Sequence, residues 1–263
     1  MSNQADRNFL ANIGAAFLTF LEAVGRFSAF TGAALSHCLR PPIYFKQLIK
    51  QMIDIGFYSL PVVALTTAFS GMVLALQSYT GFARFSAEGA VANVVALSIT
   101  RELAPVLAGL MVAGRIGASM AAEIGTMRVT EQIDALTTLS TNPLKYLVVP
   151  RIIAGLIMMP LLVLVGDVIG IFGGFVVGVY KLGFNAGTYI QNTVDFLEPL
   201  DIISGLVKAG AFGFIVTIMG CYHGYYSKRG AQGVGVATTN AVVSASILIL
   251  IFNYLITELF FSV

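Results

Sequence analysis

The stretch IGFYSLPVVALTTAFSGMVLALQSYTGFA, residues 55–83, runs 29 residues without an Asp, Glu, Lys or Arg, and GAQGVGVATTNAVVSASILILIFNYLIT, residues 230–257, does so for 28. A bilayer core of about 30 Å is crossed by roughly 20 apolar helical residues, so each stretch is long enough to span it. Working outward, the whole chain has the same character. It is 57% hydrophobic and 11% charged, with a mean hydropathy of +0.86. Soluble domains carry roughly a quarter charged residues, and 263 residues cannot wrap several such helices in polar layers. A transmembrane barrel is excluded by pattern, because barrel strands alternate polar and apolar positions and these runs are apolar on every side. The fold class is therefore an all-α integral membrane protein.

Five spans are predicted, at about 55–80, 90–122, 150–180, 201–224 and 236–261. Residues 9–35 mix Phe, Leu and Ala with Asn12, Glu22 and Arg26. They are too polar to span and suit a helix lying in the interface, ended near Pro41-Pro42. A connecting helix follows over Tyr44–Asp54. The chain thus divides into N-terminal interfacial and connecting helices (1–54) and a five-helix transmembrane domain (55–263). Asp6, Glu22 and Arg26 interrupt the first apolar run, so no secretory signal is expected. With the N-terminus cytoplasmic, eleven basic residues collect on one side: Arg7, Arg26, Arg40, Lys46, Lys50, Arg115, Arg128, Lys145, Arg151, Lys228 and Arg229. Only Arg84 and Lys181 fall on the other. The excess sets the N-terminus inside and the C-terminus outside.

Charges inside the spans carry the functional argument. Arg101 and Glu102 are placed near the middle of the second span, Asp167 in the third and Lys208 in the fourth. Each costs about 2.5–3.5 kcal/mol at a helix centre, which is tolerated where residues pair or face a polar cavity. Pro105 has no N–H, so the Arg101 carbonyl four residues earlier loses its helical partner. Both readings stand at this point, a structural ion pair or the polar lining of a headgroup path, and Asp167 is available to neutralise Arg101 or Lys208.

Between the second and third spans, Glu123–Leu139 places Val129, Ile133 and Leu136 at i, i+4 and i+7, with Arg128, Glu131 and Asp134 around them. A short amphipathic helix in such a loop suits a groove on a soluble partner or a surface position of its own. Glycines 166, 170, 174 and 178 line one face of the third span and let another backbone approach, within the chain or across a homodimer. Cys38, Cys221, His37 and His223 form no metal-ligand spacing. No GxxxxGK[ST] loop, HExxH or GxSxG occurs, so any driving energy must come from an ion gradient or another subunit.

The strings SGMVLALQ (70–77), RELAPVLAGLMVAGRIGASMAAEIGTMRVTEQIDAL (101–136), NPL (142–144), PR (150–151) and GIFGG (170–174) resemble the MlaE/YrbE permease family, the membrane subunits of ABC transporters associated with MCE proteins. The resemblance extends from about residue 43 to the end. It implies a homodimeric, non-catalytic permease with an N-terminal interfacial helix and five transmembrane helices, in a bacterial inner membrane. The implied partners are a cytoplasmic P-loop ATPase, a periplasmic MCE hexamer and a STAS-domain protein. Cofactors would be absent from this chain, ATP and magnesium belonging to the ATPase, and no nucleic acid is involved. The implied substrate is glycerophospholipid, moved between inner and outer membranes to maintain outer-membrane asymmetry. By motif position the lipid cavity would take Arg101, Glu102 and Lys208, with Leu74, Leu76 and Tyr79 against acyl chains. The coupling helix would be Thr126–Leu139, with Arg128, Glu131, Ile133, Asp134 and Leu136 facing the ATPase. The competing reading is a proton-coupled lipid carrier using Glu102 and Asp167. It lacks the repeat signature many such carriers show.

Overall fold

The computed structural model describes residues 9–38, 40–41, 44–85 and 87–262; Asp6, Arg7 and Pro42, used in the sequence reading, lie outside them. All regular structure among the described residues is helical. Helix α1 covers Phe9–Cys38, α2 Phe45–Ile55 and α3 Leu60–Phe82, the last two running on through a tight turn at Phe57–Ser59 as one apolar stretch, Phe45–Phe82. Then come α4 (Val91–Val129), α5 (Gln132–Thr138), α6 (Leu144–Tyr180), α7 (Ala186–Phe196), α8 (Pro199–Tyr225) and α9 (Ala231–Phe261). Five of these stretches are long and apolar enough to cross a membrane: α2–α3, α4, α6, α8 and α9. The chain is a multi-pass membrane protein. The short helix α7, joining the third and fourth spans, adds an element to those expected from sequence. Asn185 starts it by accepting from the Thr188 N–H at 3.1 Å, an N-cap within reach of a sequence reading.

Helix α8 is the most buried span, packed against α4, α6 and α9, while α3 lies on the far side of α6. Small residues permit this. A Cβ on Gly71 would overlap the Gly170 carbonyl, and one on Gly173 would overlap that of Ala68. The glycine face of α6 is thus consumed within the chain, by α3, by Ile99 and Val95 of α4 against Gly170 and Gly174, and by the Tyr189 ring of α7 against Gly178.

Helix α1 touches the bundle through its second half, where Phe27 and Phe30 meet Tyr222 at centroid distances of 5.3 and 5.5 Å. Its first half leaves Phe17, Leu18 and Leu21 exposed, the surface expected of a helix in contact with lipid.

Helix α4 is not uniform. Residues 99–103 and 113–117 widen into π-turns, as do residues 144–148 at the start of α6. Such widenings cluster at functional positions, and each of these three carries a cation: Arg101, Arg115 or Lys145.

Candidate functional site

Glycine decides where α4 and α8 meet. A Cβ on Gly205 would overlap the Thr100 carbonyl, so the two helices touch backbone to backbone there. One turn further along α8, Lys208 reaches the Arg101 carbonyl, its Nζ donating at 2.8 Å. This is the oxygen that Pro105 deprives of a helical donor. The same ammonium donates to Glu102 Oε1 at 2.7 Å and is fully buried. Glu102 also accepts from Thr257 Oγ1 at 3.0 Å and, through Oε2, from Asn253 Nδ2 at 2.8 Å. One carboxylate therefore joins α4, α8 and α9.

Arg101 turns the other way. Its Nε donates to Asp201 Oδ1 at 2.6 Å and its Nη2 lies 2.5 Å from the same oxygen, while the Phe261 ring stacks on the guanidinium at 3.8 Å, a cation–π contact. Asp201 is itself buried, and its Oδ2 accepts from the Glu198 N–H at 3.1 Å, closing a capping box at the start of α8. Two cations and two carboxylates leave the cluster with no net charge. Lys208 is committed to protein acceptors, whereas the Arg101 side chain is about 29% exposed and its bonds to Asp201 run through Nε and Nη2, with none at Nη1 among the described residues.

Two expectations need correction. Arg101 and Glu102 do not sit at mid-span: they lie level with the first turns of α8 and the last turns of α9, where Asp201 and Phe261 are. Asp167 neutralises neither cation. It is buried in α6 with Oδ1 unpartnered, and the partners are Asp201 and Glu102. The proposed wall residues also separate. Leu74 lines an open apolar groove of about 390 Å³ with Phe69, Val73, Gln77 and Leu103; Leu76 does not line it, and Tyr79 packs edge-on against Phe184 at 5.9 Å. Residues two apart on a helix cannot face the same way.

Sequence reasoning missed Asp201, Asn253 and Thr257. Asn253 and Thr257 stand at i and i+4 in an apolar span, a polar pair that charge counting passes over. Asp201 falls at the helix boundary, three residues after Glu198, the spacing of a capping box.

At the opposite end of the bundle, the segment expected as one helix over Thr126–Leu139 is broken. Helix α4 runs on to Val129, Glu131 takes the left-handed conformation with φ 60°, and only Gln132–Thr138 forms α5. Ile133 is buried and Leu136 half-buried against this chain's own core, so the apolar stripe is used internally. Arg128 Nη1 bonds Asp134 Oδ1 at 2.7 Å. Glu131, Gln132, Asp134 and Leu139 face outward.

Comparison with known proteins agrees with this architecture. The sequence profile of the family described as Permease MlaE matches residues 48–259. A probable ABC transporter permease protein of Rickettsia bellii is 66% identical over 256 residues, covering 97% of this chain and 99% of the relative. The intermembrane phospholipid transport system permease protein MlaE of Haemophilus influenzae is 38% identical over 257 residues, with 97% and 98% covered. More distantly, the chloroplastic protein TRIGALACTOSYLDIACYLGLYCEROL 1 of Arabidopsis thaliana is 34% identical over 230 residues, covering 88% of this chain and 66% of that protein. The chain belongs to the MlaE permease family, as an ABC transporter permease with five membrane-spanning helices.

Proposed function

We propose that this chain is the membrane-spanning subunit of a transporter that moves glycerophospholipid between the inner and outer membranes of a Gram-negative envelope, maintaining outer-membrane asymmetry, with ATP hydrolysed by a separate cytoplasmic subunit. The observation that carries the reading is the Arg101–Asp201 and Glu102–Lys208 cluster beside the apolar groove at Leu74 and Leu103, in a chain whose relative is a phospholipid-transport permease. A phospholipid joins an anionic phosphate to two long chains, and needs a cation next to an apolar wall. Arg101 is the phosphate contact in this arrangement, because its Nη1 remains for a charge-assisted bond. Lys208 and Glu102 hold the spans that position it. Leu74 belongs to the acyl wall, with Leu76 and Tyr79 secondary to it.

The protein acts as a homodimer in the inner membrane, N-terminus cytoplasmic and C-terminus periplasmic. An MCE hexamer sits over the periplasmic end, and a STAS-domain protein accompanies the ATPase. Helix α5 with Glu131, Asp134 and Leu139 is the ATPase contact; Ile133 and Leu136 serve that contact by anchoring α5 to the bundle. The chain itself needs no cofactor; ATP and magnesium bind the ATPase. A proton relay through Glu102 and Asp167 is disfavoured, since the partners of Glu102 are Lys208, Asn253 and Thr257.

The test is co-purification in mild detergent combined with a photoreactive phospholipid. The chain should bring down a P-loop ATPase and an MCE protein, and Arg101→Ala should lower lipid crosslinking with folding intact. Unchanged crosslinking in a folded Arg101→Ala protein would contradict the site.

A further inference from the structure

A second polar cavity lies at the other end of the bundle. It encloses about 140 Å³ between α2, α4 and α6, and is lined by Gln47, Lys50 and Gln51 of α2, Glu123 of α4, and Tyr146 and Arg151 of α6. Arg151 is only 4% exposed. Its Nη2 donates to Glu123 Oε2 at 2.6 Å and its Nη1 to the Leu147 carbonyl at 2.5 Å, while Nε has no partner. Gln51 is buried as well. Gln47 Nε2 donates to the Tyr146 hydroxyl oxygen at 2.8 Å, which leaves the Tyr146 O–H proton available to donate.

The donor balance identifies the ligand class. Lys50 and Arg151 against Glu123 give a net positive site, and the Lys50 ammonium, Gln51 amide and Tyr146 hydroxyl add donors around it. A metal ion would need the reverse, several oxygens of net negative charge. An oxyanion of phosphate type meets these donors with charge-assisted bonds.

Depth identifies its source. Phe45, Ile49 and Ile53 of α2 and Phe57 of the turn after it are exposed at every fourth position, so that side of the stretch faces acyl chains, and Gln47 and Gln51 lie on the side toward the bundle. The aromatic pair Tyr44–Tyr146, 5.0 Å apart, stands beside the cavity, as aromatic residues do at a membrane interface. Glu123 is 22 residues beyond Arg101 on α4, or about 33 Å along a helix, close to the roughly 30 Å of hydrocarbon. We propose that the Lys50–Gln51–Tyr146–Arg151 cavity binds the phosphate of a lipid headgroup in the leaflet opposite the Arg101 cluster. This site stands independently of the transport reading.

The test places the full-length chain in phosphatidylcholine nanodiscs doped with a phosphatidylglycerol analogue bearing a photoreactive diazirine on its headgroup, and maps labelled peptides. Segments 44–54 and 144–151 should label in the wild type. Labelling there should fall about tenfold in Lys50→Gln and in Gln51→Leu, the loss of one strong donor from a phosphate, while labelling near Arg101 stays. Neither variant touches the Arg151–Glu123 bond, and should Gln51→Leu misfold, Lys50→Gln on the exposed rim carries the test alone. Inorganic phosphate added in excess separates the sources. Labelling that falls as phosphate is added shows that the headgroup phosphate holds the lipid there, whereas no labelling of either segment together with direct binding of inorganic phosphate to the solubilised chain assigns the cavity to soluble phosphate and overturns the lipid. Unchanged labelling of both segments in a folded Lys50→Gln protein overturns the site altogether. Loss of label near Arg101 alone would speak against the transport site and not this one.

Discussion

Lys208→Met removes the one ammonium that serves both the Arg101 carbonyl and Glu102, and its cost can be worked from the structure. Breaking a buried pair by deleting one partner costs about 3–5 kcal/mol, because the remaining charge is stranded. Glu102 is 38% exposed at its side chain and keeps Asn253 and Thr257, so the low end, about 3 kcal/mol, applies. On the scale of 2–4 °C per kcal/mol for soluble domains of roughly this size, that is a melting shift of about 6–12 °C. The chain has no tryptophan, but Cys221 is fully buried. A thiol-reactive dye that fluoresces on reaction therefore reports unfolding in detergent, with Cys38→Ser removing the partly exposed background thiol. Adding Glu102→Gln to Lys208→Met removes the stranded charge and should recover about half of the loss, since neutral replacement of a whole pair is often tolerated. A folded Lys208→Met protein melting within about 1 °C of wild type, or a double variant with additive losses, would refute the idea that this pair ties α4, α8 and α9 together.

Other expectations follow from the packing and the surface. Gly71→Ala should lower stability by about 1–3 kcal/mol by driving a methyl into the Gly170 carbonyl, whereas Gly14→Ala, with open space around it, should be neutral or stabilising; comparable melting of the two would contradict the α3–α6 contact. Substituting Glu131 and Asp134 with Lys should abolish capture of the ATPase while leaving the chain inserted, and an intact complex would remove α5 from the contact. Tyr189 on α7 is a third case: burial pushes its phenol from 10.0 up to about 12, and its hydroxyl has no partner. Because the folded state holds that proton more tightly, its contribution to stability is complete below pH 10 and is lost as the pH rises toward 12. Tyr189→Phe should leave the melting temperature at neutral pH unchanged or raised and soften its alkaline decline, measured with the same dye; a marked loss at pH 7 would mean the hydroxyl is bonded after all.

The spans were legible because a bilayer imposes one demand, a long apolar helix, and residues 55–83 and 230–257 meet it without interruption. The intramembrane charges were legible for the same reason, since Arg101, Glu102 and Lys208 stand out against an apolar background. Their partners were not. Asp201 lies about 100 residues from Arg101 and at a helix boundary, where an acid reads as a cap, and the pairing depends on α4 and α8 touching at Gly205 and Thr100. Pro105 marked the orphaned carbonyl correctly, and only tertiary packing could show that Lys208 fills it. Helical periodicity also misled at residues 126–139. Val129, Ile133 and Leu136 keep the spacing of one stripe, yet the left-handed Glu131 divides them between two helices, a conformation that nothing in a glutamate announces.

The most direct measurement reconstitutes the chain with its ATPase and MCE partners in proteoliposomes and follows transfer of a fluorescent phospholipid to acceptor vesicles. Transfer should require ATP hydrolysis, persist when a protonophore collapses the proton gradient, and fall in Arg101→Ala. Transfer that follows the proton gradient and continues with a hydrolysis-dead ATPase would contradict it.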